Sequence, residues 1–205
     1  GSIGDWGAGA TPAKGNTSYY GGNILWLRTG ELNNSIVNDT EIKITDKALK
    51  ECSLRLNKAG DVLIAMYGAT IGKVAIAGCE LTTNQACCAC TPIGIFNYYL
   101  FYFLMGNQVD FIKKGEGGAQ PNISREKLVA HLMPIPPIQE QHRIVERIKD
   151  VLPLTDKYAH SQIALDELNR SINGKLKNQF FKKPFKGDLF HKLQKKEQHK
   201  SYLSK

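Results

Sequence analysis

Two patterns of apolar and polar residues divide the chain near residue 133. Before that point, apolar residues occur in short runs bounded by Gly, Asn and Thr, which is typical of strands joined by loops. The runs are "NILWL", "DVLIAMY", "KVAIAG" and "TTNQACCACTP". The longer run "YLFYFLMGNQVDFIKK" predicts one largely buried helix or two short ones that pack into the core. Its apolar residues include Leu100, Phe103, Leu104, Val109 and Phe111.

After residue 133, the proline-rich segment "HLMPIPPIQEQ" leads into a helical pattern. Each residue before a proline is driven towards extended backbone, and Pro137 can serve as the first helical residue because its missing N–H needs no partner there. From Ile138, a heptad seam follows at alternating steps of four and three residues. The seam positions are Ile144, Ile148, Val151, Thr155, Tyr158, Gln162, Leu165, Asn169, Ile172 and Leu176. Three of them are polar, and Pro153 is predicted to bend or interrupt the helix.

This helix is longer than a small globular domain requires. About 40 helical residues extend roughly 60 Å at 1.5 Å per residue, so the pattern predicts a partner helix, within this molecule's assembly or from another subunit. The expected fold class is α+β: a mixed α/β domain, followed by a long α-helix that forms a coiled coil or an antiparallel helix pair. The predicted boundaries are residues 1–137 for the head domain, 138–181 for the helix and 182–205 for a basic tail.

The net charge of +8 lies entirely at the C-terminal end of the chain. Residues 1–174 hold 17 basic and 17 acidic side chains, whereas residues 175–205 hold 10 lysines and 2 acids. A solvated basic tail and a phosphate-binding tail both fit this distribution, so net charge alone does not establish DNA binding. No run of eighteen apolar residues exists and "GSIGDWGAGATP" lacks the features of a signal peptide, which predicts a soluble cytoplasmic protein without a membrane partner.

Five clustered cysteines are too few for the disulfide framework of a secreted protein. Cys87 and Cys90 form a C-x-x-C motif, but no second pair stands at zinc-ligand spacing. On a strand, side-chain alternation would place Cys88 and Cys90 on one face and Cys87 on the other. We therefore predict buried, reduced thiols, whereas a metalloenzyme that uses Cys87 and Cys90 would require stoichiometric zinc.

Motifs of catalysis are missing from the sequence. The segment "GATIGK", Gly68 to Lys73, is one residue short of a phosphate loop, and Val74 stands where the loop needs Ser or Thr. The segment "GDWGAG" lacks the glycine spacing of a dinucleotide or adenosylmethionine site, and the five histidines show no metal-ligand spacing. Neither the tetrad of adenine methyltransferases nor a G-x-S-x-G motif is present. These absences favour a binding or assembly subunit over a catalyst.

Several segments, taken in order, carry a resemblance to a known family. They are "GAGATP" with "YYGGNILWLRTGEL", "GDVLIAMYGATIGKVAI" with "TNQA", "GEGGAQPNISREKL", "MPIPPIQEQHRIVERI" and "FFKKPFKGDL". Together they resemble the specificity subunit of type I restriction-modification systems, from Gly7 to about Leu189. The most specific parts are "IPPIQEQ" and the preceding "GGAQPNIS".

The resemblance implies a target recognition domain that reads one half of a split site in double-stranded DNA. The long helix would space two such domains, and the proline joint would set the angle between head and helix. Methyltransferase subunits would clamp around the helix, and a restriction and translocase subunit would complete the complex. The chain itself would bind no cofactor, whereas S-adenosylmethionine, ATP and Mg would bind to the partner subunits.

The full-length family pattern has two recognition domains and two helices, but this sequence contains one of each. Two explanations stay open: the C-terminal half of a longer subunit, or a half-size subunit that pairs with itself through the long helix. Two-fold pairing would present two identical heads and would demand an inverted-repeat target.

Candidate DNA contacts are residues that can pair with base edges or phosphates from loops. They are Lys14, Asn16, Tyr20, Arg28, Thr29, Tyr67, Thr70, Lys73, Asn84, Gln85, Lys113, Lys114 and Gln120. Structural roles compete: Arg28 as an ion-pair partner of Glu31, Tyr67 as a core residue, and Asn84 and Gln85 as turn caps. Asn122 or Ser124 is expected to cap the helix "REKLVAHL", and Gly68 and Gly72 are expected to serve backbone geometry, one or both at positive φ.

Candidate subunit contacts lie on the helical seam. They are Ile144, Ile148, Leu165, Asn169, Ile172 and Leu176, of which the polar Asn169 could set the register. The competing hypothesis is a coiled-coil adaptor protein whose head domain binds a protein or a small ligand. Salt-dependent affinity for duplex DNA would separate the two, because phosphate contacts release counterions.

Overall fold

The computed structural model describes residues 3–116 and 121–182, within which the chain forms eight strands and five α-helices. The strands are β1 (Gly4–Ala8), β2 (Tyr20–Leu27), β3 (Ser35–Val37), β4 (Lys43–Ile44), β5 (Val62–Ala65), β6 (Val74–Ala77), β7 (Thr82–Thr83) and β8 (Cys87–Pro92). The helices are α1 (Asp46–Glu51), α2 (Asn97–Gly106), α3 (Gln108–Lys114), α4 (Arg125–Val129) and α5 (Ile138–Lys182). The chain divides into two units, of which the first ends at Lys149 and the second begins at Asp150.

A five-stranded sheet forms the centre of the first unit. Its strand order is β1-β8-β5-β6-β3, with β3 and β6 parallel and the other pairs antiparallel. All four residues of β5 and all four of β6 are buried. A strand buried on both faces needs apolar side chains at every position, which explains the continuous runs "VLIA" and "VAIA".

The two faces of this sheet belong to different hydrophobic clusters. One face carries Cys88 and Cys90 and packs with side chains of α2, α3 and α4, whereas Cys87 and Ala89 face the other cluster. The predicted alternation along "TTNQACCACTP" is therefore confirmed. The cysteine thiols are free, and burial raises the pKa of Cys88 to about 11 and that of Cys90 to about 12. Both thiols are protonated at neutral pH, which fits a packing role.

A second sheet of three strands has the order β4-β2-β7. Strand β2 is antiparallel to β4 and parallel to β7. From this sheet Leu27 joins the same cluster as Cys87, while Trp26 and Ile44 pack with Ala48 of α1 in a cluster of their own. The five-stranded sheet is thus covered by helices on one face and by side chains that include Leu27 on the other.

The aromatic run forms two short helices, α2 and α3, which is one of the two predicted arrangements. Leu100, Leu104 and Phe111 are buried in the main core. Val109 is 61% exposed, so its prediction as a core residue is wrong. The chain breaks at Asn107, and the new helix α3 turns Val109 outward while it buries Phe111.

Helix α5 begins at Ile138, the residue at which the predicted helical segment starts, and Pro137 is not its first residue. The Pro137 carbonyl accepts the first helical hydrogen bond, from the Gln141 N–H at 3.1 Å, so Pro137 is the cap. The helix continues through Pro153, so the predicted interruption is wrong, whereas the alternative, a bend at Pro153, stays a prediction. Proline removes the single N–H bond to Lys149, whereas the bonds of the neighbouring residues can persist. No helix among the described residues is both long and apolar enough to span a membrane.

Candidate nucleic-acid interface

Two predicted base-reading segments meet where parallel strands end. Strands β2 and β7 pair so that Leu27 lies opposite Thr83, and Arg28 and Asn84 follow directly. The Asn84 N–H donates to the Leu27 carbonyl at 3.0 Å. Because parallel strands end at the same edge, "LRTG" and "TNQA" leave the sheet side by side although they are distant in sequence.

Main-chain hydrogen bonds add further loops to this edge. The Met66 N–H donates to the Ala86 carbonyl at 2.8 Å, and the Ile123 N–H donates to the Met66 carbonyl at 2.9 Å. On the other side, the Ala10 N–H donates to the Thr83 carbonyl at 3.0 Å. We call this row of loops the loop edge. It comprises residues 8–11, 28–31, 66–73, 84–86 and 121–125.

Arg28 lies on the loop edge within a network of two carboxylates. Its Nε is 3.5 Å from Glu31 Oε1, and its Nη2 pairs with Glu41 Oε2. The alternative role as an ion-pair partner of Glu31 is therefore present in the structure. The Arg28 side chain is still 41% exposed, so a base contact stays a prediction. Thr29, half-buried, opens the 3₁₀ helix Thr29–Glu31 that follows.

Tyr67 is 44% exposed, so its alternative role as a core residue is wrong. The Thr70 hydroxyl donates to the Tyr67 carbonyl at 2.9 Å and closes the 3₁₀ helix Gly68–Thr70. Gly68 and Gly72 both have positive φ, 63° and 76°, as predicted. Lys73 follows, half-buried, with its carbonyl bonded to the Ala65 N–H at 2.9 Å. Tight glycine turns thus hold Tyr67, Thr70 and Lys73 on the loop edge.

Tyr67 and Gln85 line a concave cavity of about 360 Å³ on the loop edge. Its wall is formed by Ala8, Met66, Tyr67, Gln85, Asn122, Ile123, Ser124, Arg125 and Glu126. The Ser124 hydroxyl accepts from the Lys127 N–H at 3.3 Å, which confirms Ser124 as the cap of α4. Arg125 brings a guanidinium to this wall, 3.7 Å from the Glu126 carboxylate.

Asn84 and Gln85 differ in how their side chains are used. The Asn84 carbonyl accepts from the Cys87 N–H at 3.1 Å and makes a turn, but the Asn84 Oδ1 atom is buried without a hydrogen-bond partner. The Gln85 side chain is exposed, and its Oε1 accepts from the Thr11 hydroxyl. The main chain therefore forms the turn, and the Asn84 side chain keeps an unused acceptor.

Lys14 and Asn16 precede β2, and Tyr20 is the first residue of this strand, at the end away from Arg28. Asn16 Oδ1 accepts from the Ser18 N–H at 3.1 Å and caps a 3₁₀ helix, and the Tyr20 hydroxyl donates to the Pro12 carbonyl at 2.7 Å. The Tyr20 ring lies edge-on to the Trp26 ring with centroids 6.2 Å apart, and Pro12 directly follows residues 8–11 of the loop edge. DNA contacts of Lys14, Asn16 and Tyr20 stay a prediction.

Lys113 and Lys114 occupy the exposed last turn of α3. Lys113 Nζ is 4.0 Å from Asp110, and Lys114 Nζ is 2.8 Å from His131 Nδ1. Burial and the Lys114 charge lower the pKa of His131, so the neutral ring accepts at Nδ1 and donates from Nε2 to Asn107 Oδ1 at 3.1 Å. Phosphate contact by either lysine stays a prediction. Gln120 lies outside the described residues.

The predicted subunit contacts on α5 have different surroundings. Ile144 is half-buried and packs against the core of the first unit, so part of its surface is already covered. Ile148 is half-buried, whereas Leu165, Asn169 and Ile172 are exposed. The Leu176 side chain lies outside the described part. A role for these residues in subunit contact stays a prediction.

Glu41 and Arg125 are candidates that sequence reasoning missed. Asn122, for which a phosphate contact competes with a role as helix cap, lines the cavity beside Tyr67, and Ser124 is the cap of α4. Arg125 carried a usable signal, because it is a cation directly after the "GGAQPNIS" loop. The sequence contains no signal for Glu41, because Arg28 and Glu41 meet only through the pairing of the neighbouring strands β2 and β4.

The geometry speaks against the metalloenzyme hypothesis. Cys87 and Cys90 point to opposite faces of one sheet and pack into separate clusters, so they cannot ligate the same ion. Within residues 3–116 and 121–182, no three His, Cys, Asp or Glu side chains group as metal ligands.

Comparison with known proteins identifies similar chains. A family model, "Type I restriction modification DNA specificity domain", matches residues 1–165. The specificity subunit of the type I restriction enzyme MjaIX from Methanocaldococcus jannaschii is 34% identical over 196 residues, which are 92% of this chain and 44% of that protein. The chain thus spans less than half the length of this relative.

Solved structures share the fold. The HsdS subunit from Thermoanaerobacter tengcongensis is 21% identical, with a TM-score of 0.60 over 84% of this chain and 42% of that chain. The S subunit of a type I restriction-modification system from M. genitalium is 17% identical, with a TM-score of 0.52 over 88% of this chain and 45% of that chain. Both similarities support a mixed α/β domain followed by a long helix.

Proposed function

The chain belongs to the family of type I restriction-modification DNA specificity domains, and from this premise we propose that it supplies DNA specificity to such a complex without catalysis of its own. Its first unit reads one half of a bipartite target in double-stranded DNA. Helix α5 is the scaffold on which the other subunits assemble. Each role has its own support among the described residues.

One observation carries the DNA-reading role. The parallel pairing of β2 and β7 places Arg28 beside Asn84, and the hydrogen-bonded loop edge adds Gln85, Tyr67 and Lys73. Arginine pairs bidentately with guanine, and asparagine and glutamine pair with adenine, in the major groove. Lysine and tyrosine side chains commonly contact phosphates. Seven residues that the sequence predicts as DNA contacts therefore lie on the loop edge, and their side chains can bind bases or phosphates. They are Arg28, Thr29, Tyr67, Thr70, Lys73, Asn84 and Gln85.

The scaffolding role is supported by exposed apolar residues on the second unit's part of α5. They are Val151, Leu154, Tyr158, Leu165, Leu168 and Ile172. Their steps of three, four and seven residues form one stripe along a helix. Leu154 and Leu168 lie beside the predicted seam, on the side away from its polar residues Thr155 and Asn169. The stripe is therefore more apolar than the predicted seam. A stripe of this kind is typical of a helix that buries one face against another helix.

The partners follow from these two roles. The exposed stripe receives the methyltransferase subunits or a second specificity helix, which could come from another copy of this chain. A restriction and translocase subunit joins the assembled complex. S-adenosylmethionine, ATP and Mg²⁺ bind to those partners, since catalytic motifs are missing from this sequence.

A specific observation favours the rival hypothesis of an adaptor head. A cavity of about 310 Å³ lies between α2 and residues 128–135, and most of its lining side chains are apolar, such as Trp6, Leu100 and Met133. A small ligand or a peptide side chain would fit its chemistry. Affinity for duplex DNA that falls steeply with salt favours the specificity subunit, because phosphate contacts release counterions.

The decisive experiment is single-molecule methylation sequencing of DNA from cells that co-express this chain with the methyltransferase subunits of the same restriction-modification complex. We expect new adenine methylation at a split motif. A palindromic motif would indicate self-pairing, and an asymmetric motif would require a different second head. Stable co-purification without new methylation would favour the adaptor, or a half subunit that cannot assemble a working enzyme, and the salt dependence of duplex DNA binding separates these two.

A further inference from the structure

We infer that Glu41 is a second base-reading residue beside Arg28. The two form one recognition pair, in which Arg28 reads a guanine and Glu41 reads a cytosine beside it. The inference rests on the proposed function, since the loop edge must meet DNA. Glu41 stands just before strand β4, and the fold brings its carboxylate to the Arg28 guanidinium.

Glu31 fixes the positions of both residues. Its Oε1 accepts from the Arg28 N–H and its Oε2 accepts from the Glu41 N–H, each at 3.0 Å. The Glu31 side chain is only 16% exposed. Both carboxylate oxygens are therefore used to hold the two loops together, and Glu31 is a positioning residue.

Unlike the Glu31 carboxylate, the Glu41 carboxylate is largely exposed to solvent. Its Oε2 pairs with Arg28 Nη2, and its side chain is 70% exposed. Exposed ion pairs contribute little net stability, so a better partner can replace this contact. The Arg28 Nε is buried and makes no hydrogen bond, although Glu31 Oε1 is 3.5 Å away. The buried Nε cannot meet an outside acceptor, so the 41% exposed side chain would bind a base through its Nη atoms.

Asn84 supplies an independent sign of a ligand at this place. Its Oδ1 is buried and has no hydrogen-bond partner, and its N–H bonds to the carbonyl of Leu27, the residue before Arg28. Buried polar atoms are nearly always paired in folded proteins, so an exception calls for an explanation. A hydrogen bond from the amino group of a DNA base would satisfy the atom once the Asn84 side chain turns outward.

The chemistry of the pair selects the bases. A guanidinium donates to O6 and N7 of guanine, and a carboxylate accepts from the N4 amino group of cytosine. When Arg28 turns to guanine, Glu41 loses its partner and needs a donor. Thymine offers an acceptor at O4, and adenine places the N7 acceptor beside its amino group, so both repel the carboxylate. Cytosine is the base that fits.

The test co-expresses the full chain, as wild type or as a variant, with the methyltransferase subunits. It then compares the DNA motifs that become methylated. Glu41→Gln should change the preferred base at one base pair by roughly tenfold or more, because an amide donates and accepts and so favours adenine. Asp39→Asn is the matched control. Asp39 is two residues away and pairs with Lys43 at 3.1 Å, so its variant loses the same charge and should keep the wild-type motif.

A second variant guards against loss of function. Glu41→Ala should make the same base pair degenerate while the complex co-purifies. If both Glu41 variants assemble but methylate nothing while Asp39→Asn is active, recognition through Glu41 is also supported. Wild-type motifs in both Glu41 variants, or the same motif change in Asp39→Asn, would overturn the inference and leave the proposed function intact. No motif for the wild type would instead overturn the proposed function.

Discussion

Gln141 in the first turn of α5 is hydrogen-bonded to Phe96 at the start of α2. Its Oε1 accepts from the Phe96 N–H at 2.9 Å, and its Nε2 donates to the Pro136 carbonyl at 2.9 Å. The side chain is 1% exposed. The His142 ring stacks on the Phe96 ring with centroids 3.9 Å apart. One buried amide therefore ties the proline joint and the helix start to the core of the first unit.

Gln141→Leu should destabilise the first unit. The leucine fills the space but leaves the half-buried Phe96 N–H and Pro136 carbonyl without this partner, and partial access to water brings the cost per group to about 1–2 kcal/mol. We expect the free energy of unfolding to fall by about 2–4 kcal/mol, measured by urea denaturation with Trp6 and Trp26 fluorescence. Gln139→Leu, at an exposed position two residues earlier, should change it by less than about 0.5 kcal/mol. Equal effects of the two variants would refute the role of Gln141.

Leu165→Asp should prevent assembly without unfolding the first unit. A carboxylate in the apolar stripe must be buried without a partner when another helix packs there. The mass of the complex with methyltransferase subunits, measured by light scattering, should fall to that of the separate components. Ile163→Asp is the matched control, because Ile163 is also exposed but lies roughly 200° around the helix from Leu165. Assembly by Leu165→Asp would contradict the scaffolding role.

Lys73→Ala should weaken DNA binding by the assembled complex at every sequence alike. Loss of one phosphate contact reduces the slope of log affinity against log salt by about 0.9 and leaves base preference unchanged. Fluorescence anisotropy at several salt concentrations measures both quantities. Lys50→Ala, which removes an exposed lysine from α1, should bind as the wild type does. An unchanged slope for Lys73→Ala would place Lys73 away from the DNA.

The free energy of unfolding should depend on pH through His131. Its pKa is lowered in the folded state, by burial first and by the Lys114 charge second, so folding favours the neutral ring. This contribution is present above the unfolded pKa of about 6.5 and is lost as the pH falls through the lower folded pKa. Urea denaturation between pH 7.5 and pH 5 should show a smaller decline for His131→Gln than for the wild type. The same decline in both proteins would show that another group is responsible.

The sequence by itself determined the features that depend on neighbouring residues. Alternation along "TTNQACCACTP" separated Cys87 from Cys88 and Cys90, and the heptad steps after Ile138 predicted the long helix. The ordered motifs also indicated the family. These features can be predicted from the sequence because side-chain direction within a strand or helix follows from a few consecutive residues.

The tertiary structure alone decided which distant residues meet. Arg28 stands beside Asn84 because β2 and β7 pair in parallel, and it meets Glu41 because Glu31 joins their loops. The same cause buried Gln141 and exposed Val109, which the apolar pattern predicts in the core. Strand order and helix docking depend on the whole core, so no local pattern encodes them.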